Sequence, residues 1–188
     1  MDTTYRSALA AWLPLAVATT ALSLMLYAGL QQEYRTSLDD PQQQIAEDTA
    51  RVVAAGVDPK VFAPQGAATE ISTSLATWMA FYDASLAPQA STGLLHGSIP
   101  TLPAGVFETA QERGTYAVTW QPEPGVRQAV VIAAAGEKGF AVSGRNMRAV
   151  EGRIDAMGLM VLIGWAATMV LSFAMFLVAP ALARRIVR

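Results

Sequence analysis

The hydrophobic pattern divides the chain into three parts. No charged residue occurs from Ser7 to Gln32 or from Ala156 to Ala183, which leaves neutral stretches of 26 and 28 residues. A helix of about 20 apolar residues crosses a hydrocarbon core about 30 Å thick. Both stretches are therefore expected to be transmembrane helices, at residues 7–32 and 156–183. Trp12 and Tyr27 stand near the two ends of the first, where interfacial aromatics sit. A signal peptide has an apolar region of about 7–15 residues followed by a small-residue cleavage site. The first stretch is longer, and Ala16-Val17-Ala18 lies inside it, so it reads as an uncleaved anchor.

Between the spans the period changes. Asp40-Pro41 reads as an N-cap followed by proline at the first helical position, with Gln43 as a capping-box partner. Ile45, Thr49, Val52 and Val53 share one face, and Gly56 is a stop. A break at Asp39–Pro41 and a second helix over about 41–55 are thus expected. Ala76–Asp83 is an aromatic strand, followed by a turn to Pro88 and a short return strand at Gln89–Ser91. Residues 92–103 read as a loop, and 104–112 as a short helix closed by Gly114. Strands are expected at Thr115–Gln121, Val126–Ala134 and Gly139–Ser143, joined by tight turns. Val126–Ala134 is nearly continuously apolar, as a central buried strand would be. Asn146 caps a last helix that runs into the second span. The expected fold class is an α+β membrane protein: two transmembrane helices flank an antiparallel sheet domain with N-terminal and C-terminal helices on one face or end.

Composition agrees with this division. The chain is 53% hydrophobic and 15% charged, against about 45–50% and 25% in average soluble domains. Residues 33–153 carry nine basic and thirteen acidic residues, enough charge for a small folded domain. By the positive-inside rule Arg6 and the trio Arg184, Arg185 and Arg188 put both termini in the cytoplasm. Residues 1–6 are then a cytoplasmic N-tail, 33–153 an extracytoplasmic domain, and 184–188 a basic cytoplasmic tail. Arg145, Arg148 and Arg153 stand on the outer side and weigh the other way. A net charge of −2 argues against a nucleic-acid partner. With no cysteine and one histidine there is no disulfide, thiolate site, HExxH motif or cysteine nucleophile. No cofactor or metal site is expected, and no catalytic constellation is visible.

WMAFYDASLAPQAS and AVVIAAAGEKGFAVSGRNMRAVEGR carry a resemblance. With the flanking spans they resemble the PAS-like (Cache, or PDC) extracytoplasmic sensor domains of bacterial histidine kinases and chemoreceptors, over about residues 31–180. The resemblance implies a sensor in a bacterial cytoplasmic membrane, with its central domain periplasmic or extracellular. It also implies a HAMP linker and an output module after the second span. Five residues follow Ala183 here, so output is expected to lie in a partner. The amine-binding signature of some members is absent.

Each candidate site residue has a functional and a structural reading. Trp78, Tyr82 and Trp120 are candidates to line a ligand pocket, or to pack the core. Arg127 and Arg145 are candidates to grip a carboxylate, or are a strand-end charge and a helix-flanking charge. Asp83 is a candidate for a ligand amine, or the head of an Asx turn. His96 titrates near neutrality, or is an ordinary loop residue. Gly164, Thr168 and Ser172 recur every four residues in the second span, with Ala16 and Thr20 as counterparts in the first. They suit pairing of the spans, a homodimer, or docking to another membrane protein. The lipid bilayer, a membrane-protein partner or second copy, and a small-molecule ligand are the expected partners. The functional expectation is a membrane-anchored sensory or ligand-binding module that signals to a partner. The alternative is a non-catalytic accessory subunit of a membrane complex.

Overall fold

The computed structural model describes residues 3–62 and 68–186. The side chains of Arg6, Asp40, Arg184 and Arg185, and the whole of Arg188, lie outside what is described. The fold class is α+β, with an antiparallel sheet and two helices long and apolar enough to cross a membrane. The chain forms two compact units, residues 34–151 and the two ends, 1–33 with 152–188.

The unit of the two ends is built from the first part of helix α1 (Thr3–Ala54) and the greater part of helix α3 (Arg148–Ile186). Leu9–Tyr34 and Arg148–Val178 are the segments that qualify as spans. In this unit the helices run antiparallel. Trp12 of α1 donates to Ser172 Oγ of α3 at 3.0 Å, and Trp165 of α3 donates to Thr20 Oγ1 of α1 at 3.0 Å. Trp12 also meets Phe173 edge-on, with ring centroids 5.2 Å apart. Its indole is thus spent on α3. The faces away from this seam are apolar, with Met25 at 72% exposure and Met175 at 71%. Large apolar side chains exposed all round a helix pair suit a hydrocarbon surrounding rather than water.

The break expected at Asp39–Pro41 is absent, because α1 continues through it to Ala54. Proline inside a helix removes one hydrogen bond and costs about 3 kcal/mol. The turns after Pro41 are held by tertiary contact. Gln42 is 1% exposed, and its Oε1 accepts the Ser143 hydroxyl at 2.8 Å. Gln43 closes no capping box; it donates to Glu47 Oε1 on the surface. The sheet-facing stripe is Gln42, Ala46, Ala50 and Val53, turned from the expected Ile45, Thr49, Val52 and Val53 face, of which Val53 alone is buried; Val52 is 40% exposed. Small residues face the sheet because the sheet surface they meet is itself alanine-rich: Ala133, Ala135 and Ala141, with Val131 and Phe81. Gly56, with φ +102°, stops the helix, and its N–H reaches the Val53 carbonyl.

The sheet of the second unit has the order β3-β2-β7-β6-β5: β2 Trp78–Tyr82, β3 Pro88–Ser91, β5 Thr115–Glu123, β6 Val126–Ala134 and β7 Phe140–Asn146. All its pairings are antiparallel. Two short strands, β1 Thr69–Glu70 and β4 Gly93–Leu94, pair in parallel, the second of them inside the 92–103 segment expected to be a loop. Helix α2 (Ala104–Arg113) follows. Asn146 Oδ1 accepts the Arg148 N–H at 2.9 Å and so caps α3.

The sheet is covered on both faces, not on one face or end. Alternation assigns the faces. Phe81, Val131, Ala133 and Ala141 meet α1, whereas Trp78, Tyr82, Val130, Ile132 and Val142 pack with Phe107 of α2. The uninterrupted apolar run of β6 is the signature of a strand buried on both sides. β6 is interior, and β7 takes the middle of the sheet.

Trp78 sets the packing of the α2 face. It is paired with Gly144 across β2 and β7. A Cβ at Gly144 would lie 2.4 Å from the indole ring, and one at Gly93 would lie 2.6 Å from Trp78 Cβ. Both glycines are thus fixed by close approach. Inserting a methyl group in such a place costs about 1–3 kcal/mol. Gly144→Ala is expected to lower stability by about that amount in denaturant unfolding of the full chain in detergent, whereas Gly105→Ala, where a Cβ meets nothing, leaves it unchanged or raises it.

Candidate functional site

The six residues singled out for ligand contact do not converge. Trp78 is 1% exposed, and its indole N–H donates to Gln128 Oε1 at 3.1 Å. Tyr82 is also 1% exposed; its hydroxyl donates to the Pro100 carbonyl, and its ring lies 5.0 Å from that of Phe107. Burial pushes its phenol well above the ordinary range. Trp120 shares this face from edge strand β5 and is half-buried against the same cluster. Together these aromatics fill the space between sheet and α2. None of the four principal cavities is lined by Trp78, Tyr82 or Trp120.

The charged candidates are held by the protein. Arg127 pairs with Glu151 in the first turn of α3. Arg145 Nε donates to the Leu75 carbonyl at 3.3 Å. The Asp83 carboxylate accepts the Ser85 hydroxyl and the Ser85 and Ala87 N–H groups, and Gln89 Nε2 donates to its other oxygen. This is an Asx turn closing the β2–β3 hairpin. These bonds, the Ser85 hydroxyl first, hold the Asp83 carboxyl below its usual range.

What the structure does bring together is a set of side chains around residues 71–75. Gln128 Nε2 donates to the Ile71 carbonyl at 2.8 Å. Asn146 Nδ2 reaches the Ile71 and Ser72 carbonyls, and Arg148 reaches that of Thr73 at 3.0 Å. With Arg145 on Leu75, side chains from β6, β7 and α3 hold four carbonyls of one segment. The bonds to the Ile71 carbonyl are buried, and a buried carbonyl without a ladder partner needs such donors. Sequence reasoning passed over this set. The signal was Gln128, a polar residue inside an apolar strand.

His96 sits between two carboxylates. Its Nε2 lies 2.9 Å from Glu123 Oε2, and its backbone N–H donates to Glu70 Oε2. The hydrogen bond and charge of Glu123 raise the His96 pKa, and the Ser72 hydroxyl holds Glu70 low.

In the helix pair, Ser172 lies on the seam, while Gly164 and Thr168 lie on the exposed side. The Thr168 hydroxyl turns back to the Gly164 carbonyl. Of the first-span counterparts, Thr20 meets α3 directly. A groove of about 490 Å³ runs beside this seam, floored by Thr20 and Trp165 and edged by Tyr27 and Asp155. A second cleft, about 330 Å³, lies at the C-terminal end of α1 beside Lys60, Asp83 and Lys138. Among the described residues no cluster of three or more His, Asp or Glu has the arrangement of a metal site. No protein-family profile, curated protein or solved structure matches the chain.

Two exposed contacts give opposite pH dependences. The raised His96 pKa means its pair with Glu123 contributes fully below the unfolded histidine value of about 6.5. That contribution is lost as pH rises through the folded value. The lowered Asp83 pKa means its turn contributes above the unfolded value of about 3.9 and is lost as pH falls through the folded one. Thermal unfolding is expected to show the gap between wild type and His96→Gln closing on the alkaline side. The gap for Asp83→Asn closes on the acid side. Gaps that do not vary with pH would refute both contacts.

Proposed function

We propose that the chain is a membrane-anchored sensory module of PAS-like (Cache/PDC) type. α1 and α3 cross a bacterial cytoplasmic membrane, with both termini cytoplasmic. Residues 33–153 lie on the periplasmic or extracellular side and respond to a ligand or a protein. The observation that supports this is how the chain passes between its two compact units. It crosses at 33/34 inside α1 and at 151/152 inside α3, each time within an uninterrupted helix and never through a loop. A hydrogen-bonded helix carries a small displacement along its axis, whereas a flexible linker absorbs it. The start of α3 is tied to the sheet by the Asn146 cap and the Arg127–Glu151 pair, and to the 71–75 segment by Arg148, so a change in the domain reaches that helix first.

The filled α2 face favours a second reading. A domain whose interior is occupied by Trp78, Tyr82 and Phe107 offers surfaces more readily than an internal pocket. An accessory or assembly subunit docked on a larger membrane complex uses the same architecture without a ligand.

The chain has no cysteine, so single cysteines report position cleanly. Cysteine at Ser98 is expected to react with a membrane-impermeant maleimide in intact cells, and cysteine at Val187 only after lysis. The reverse pattern, or labelling of both, overturns the topology. Native co-purification in mild detergent with mass spectrometry then separates the two readings. A stoichiometric complex supports the accessory subunit. A rise in Tm with a metabolite, without such a complex, supports the sensor.

A further inference from the structure

The groove beside the α1–α3 seam has a polar mouth and an apolar floor. At its mouth stand Asp155 and Tyr27, with Ser23 one helical turn deeper. Around Ser23 the walls are Leu24, Val161 and Leu162. The floor is closed where Trp165 donates to Thr20 Oγ1, and the Thr20 hydroxyl itself donates to the Ala16 carbonyl. The floor is thus internally satisfied and presents nothing polar in need of a partner. The mouth is different. Among the described residues no hydrogen bond joins the Ser23 or Tyr27 hydroxyl to another protein group. Gly158 keeps the mouth open, since a Cβ there would already press on the Tyr27 ring at 3.0 Å.

The dimensions select an occupant. Asp155 and Trp165 are ten residues apart on α3, about 15 Å along the axis. That is half of a hydrocarbon core about 30 Å thick, the depth of one leaflet. A partner helix crossing the membrane would need a groove that continues past the midplane, and this one ends at Trp165. Charge selects the headgroup. Asp155 lines the groove, whereas Arg153, two positions earlier, points about 200° around the helix, away from it. Among the residues that line the groove, the one formal charge is that of Asp155, and it is negative.

We propose that this groove binds one lipid, with an acyl chain on the Trp165–Thr20 floor, ester oxygens at the Ser23 and Tyr27 hydroxyls, and a cationic amine headgroup at Asp155. The site lies toward the ends of the two spans that adjoin residues 34 and 151 in the chain. The proposal rests on α1 and α3 being spans, which the cysteine-labelling pattern tests separately.

Native mass spectrometry of the full chain, released from detergent with added phosphatidylethanolamine or phosphatidylglycerol, reads the site directly. Wild type is expected to retain one phosphatidylethanolamine per chain, on the order of tenfold in preference to phosphatidylglycerol. Asp155→Asn, on an exposed position, is expected to lose that preference while keeping its fold and some bound lipid. Val161→Trp fills the groove and is expected to abolish the bound lipid of either kind, with helicity by circular dichroism confirming that the chain still folds. Equal retention of both lipids by wild type overturns the headgroup assignment. Retention that survives Val161→Trp overturns the site. A membrane protein that co-purifies with wild type and is displaced by Val161→Trp overturns the choice of lipid as occupant.

Discussion

The fold is organised around one side chain with nowhere else to go. Trp78 lies on β2 between two glycines, Gly144 across the sheet and Gly93 above it, both too close to accept a Cβ. Its indole N–H must be satisfied in a buried setting, and Gln128 supplies the acceptor. Gln128 in turn spends its amide N–H on the Ile71 carbonyl. Register, face assignment and the path of residues 71–75 thus follow from one indole and its hydrogen-bond partner. A one-residue slip of β2 against β7 would put Trp78 opposite Ser143 and turn every side chain of the strand to the other face.

That constraint also shapes the functional reading. With Trp78, Tyr82 and Phe107 packed between sheet and α2, the interior face is occupied. The polar groups that sequence offers as ligand contacts are consumed by the protein's own backbone and ion pairs: Asp83 in its turn, Arg145 on a carbonyl, Arg127 on Glu151. What remains open lies at the surface of the sheet unit and along the helix pair. The carbonyl-holding residues Asn146 and Arg148 stand at the start of α3, where β7 becomes a helix leading toward the apolar ends of the chain.

Much of the architecture was legible because it is local. Charge-free length marked the two long apolar helices, aromatic residues marked β2, an unbroken apolar run marked β6, turn residues marked β7, and Asn146 marked the start of α3. The errors came where a distant partner outweighs a local preference. Asp40-Pro41 is a good helix start, yet α1 continues through it because Gln42 and the following alanines are held on the sheet. Of the expected face Ile45, Thr49, Val52 and Val53 only Val53 is buried, and the alanines took the rest of it, since two small surfaces approach more closely than two large ones. The four-residue stripe of the second span kept only Ser172 on the seam, because the two tryptophan–hydroxyl bonds fix how α3 is rotated.

Sequence by itself determined the two charge-free apolar helices and the α+β class of the fold, the order of its main elements, and the absence of cysteine chemistry. Those depend on composition and short-range period. Only the tertiary structure decided that both sheet faces are covered, that the aromatic face is full, that 71–75 is tied to the start of α3, and that the groove beside the seam ends at Trp165. Each of these is a pairing between residues far apart in the chain. The free energy of such a pairing lies in close packing and in hydrogen bonds with no local alternative, and neither leaves a mark on the neighbouring sequence.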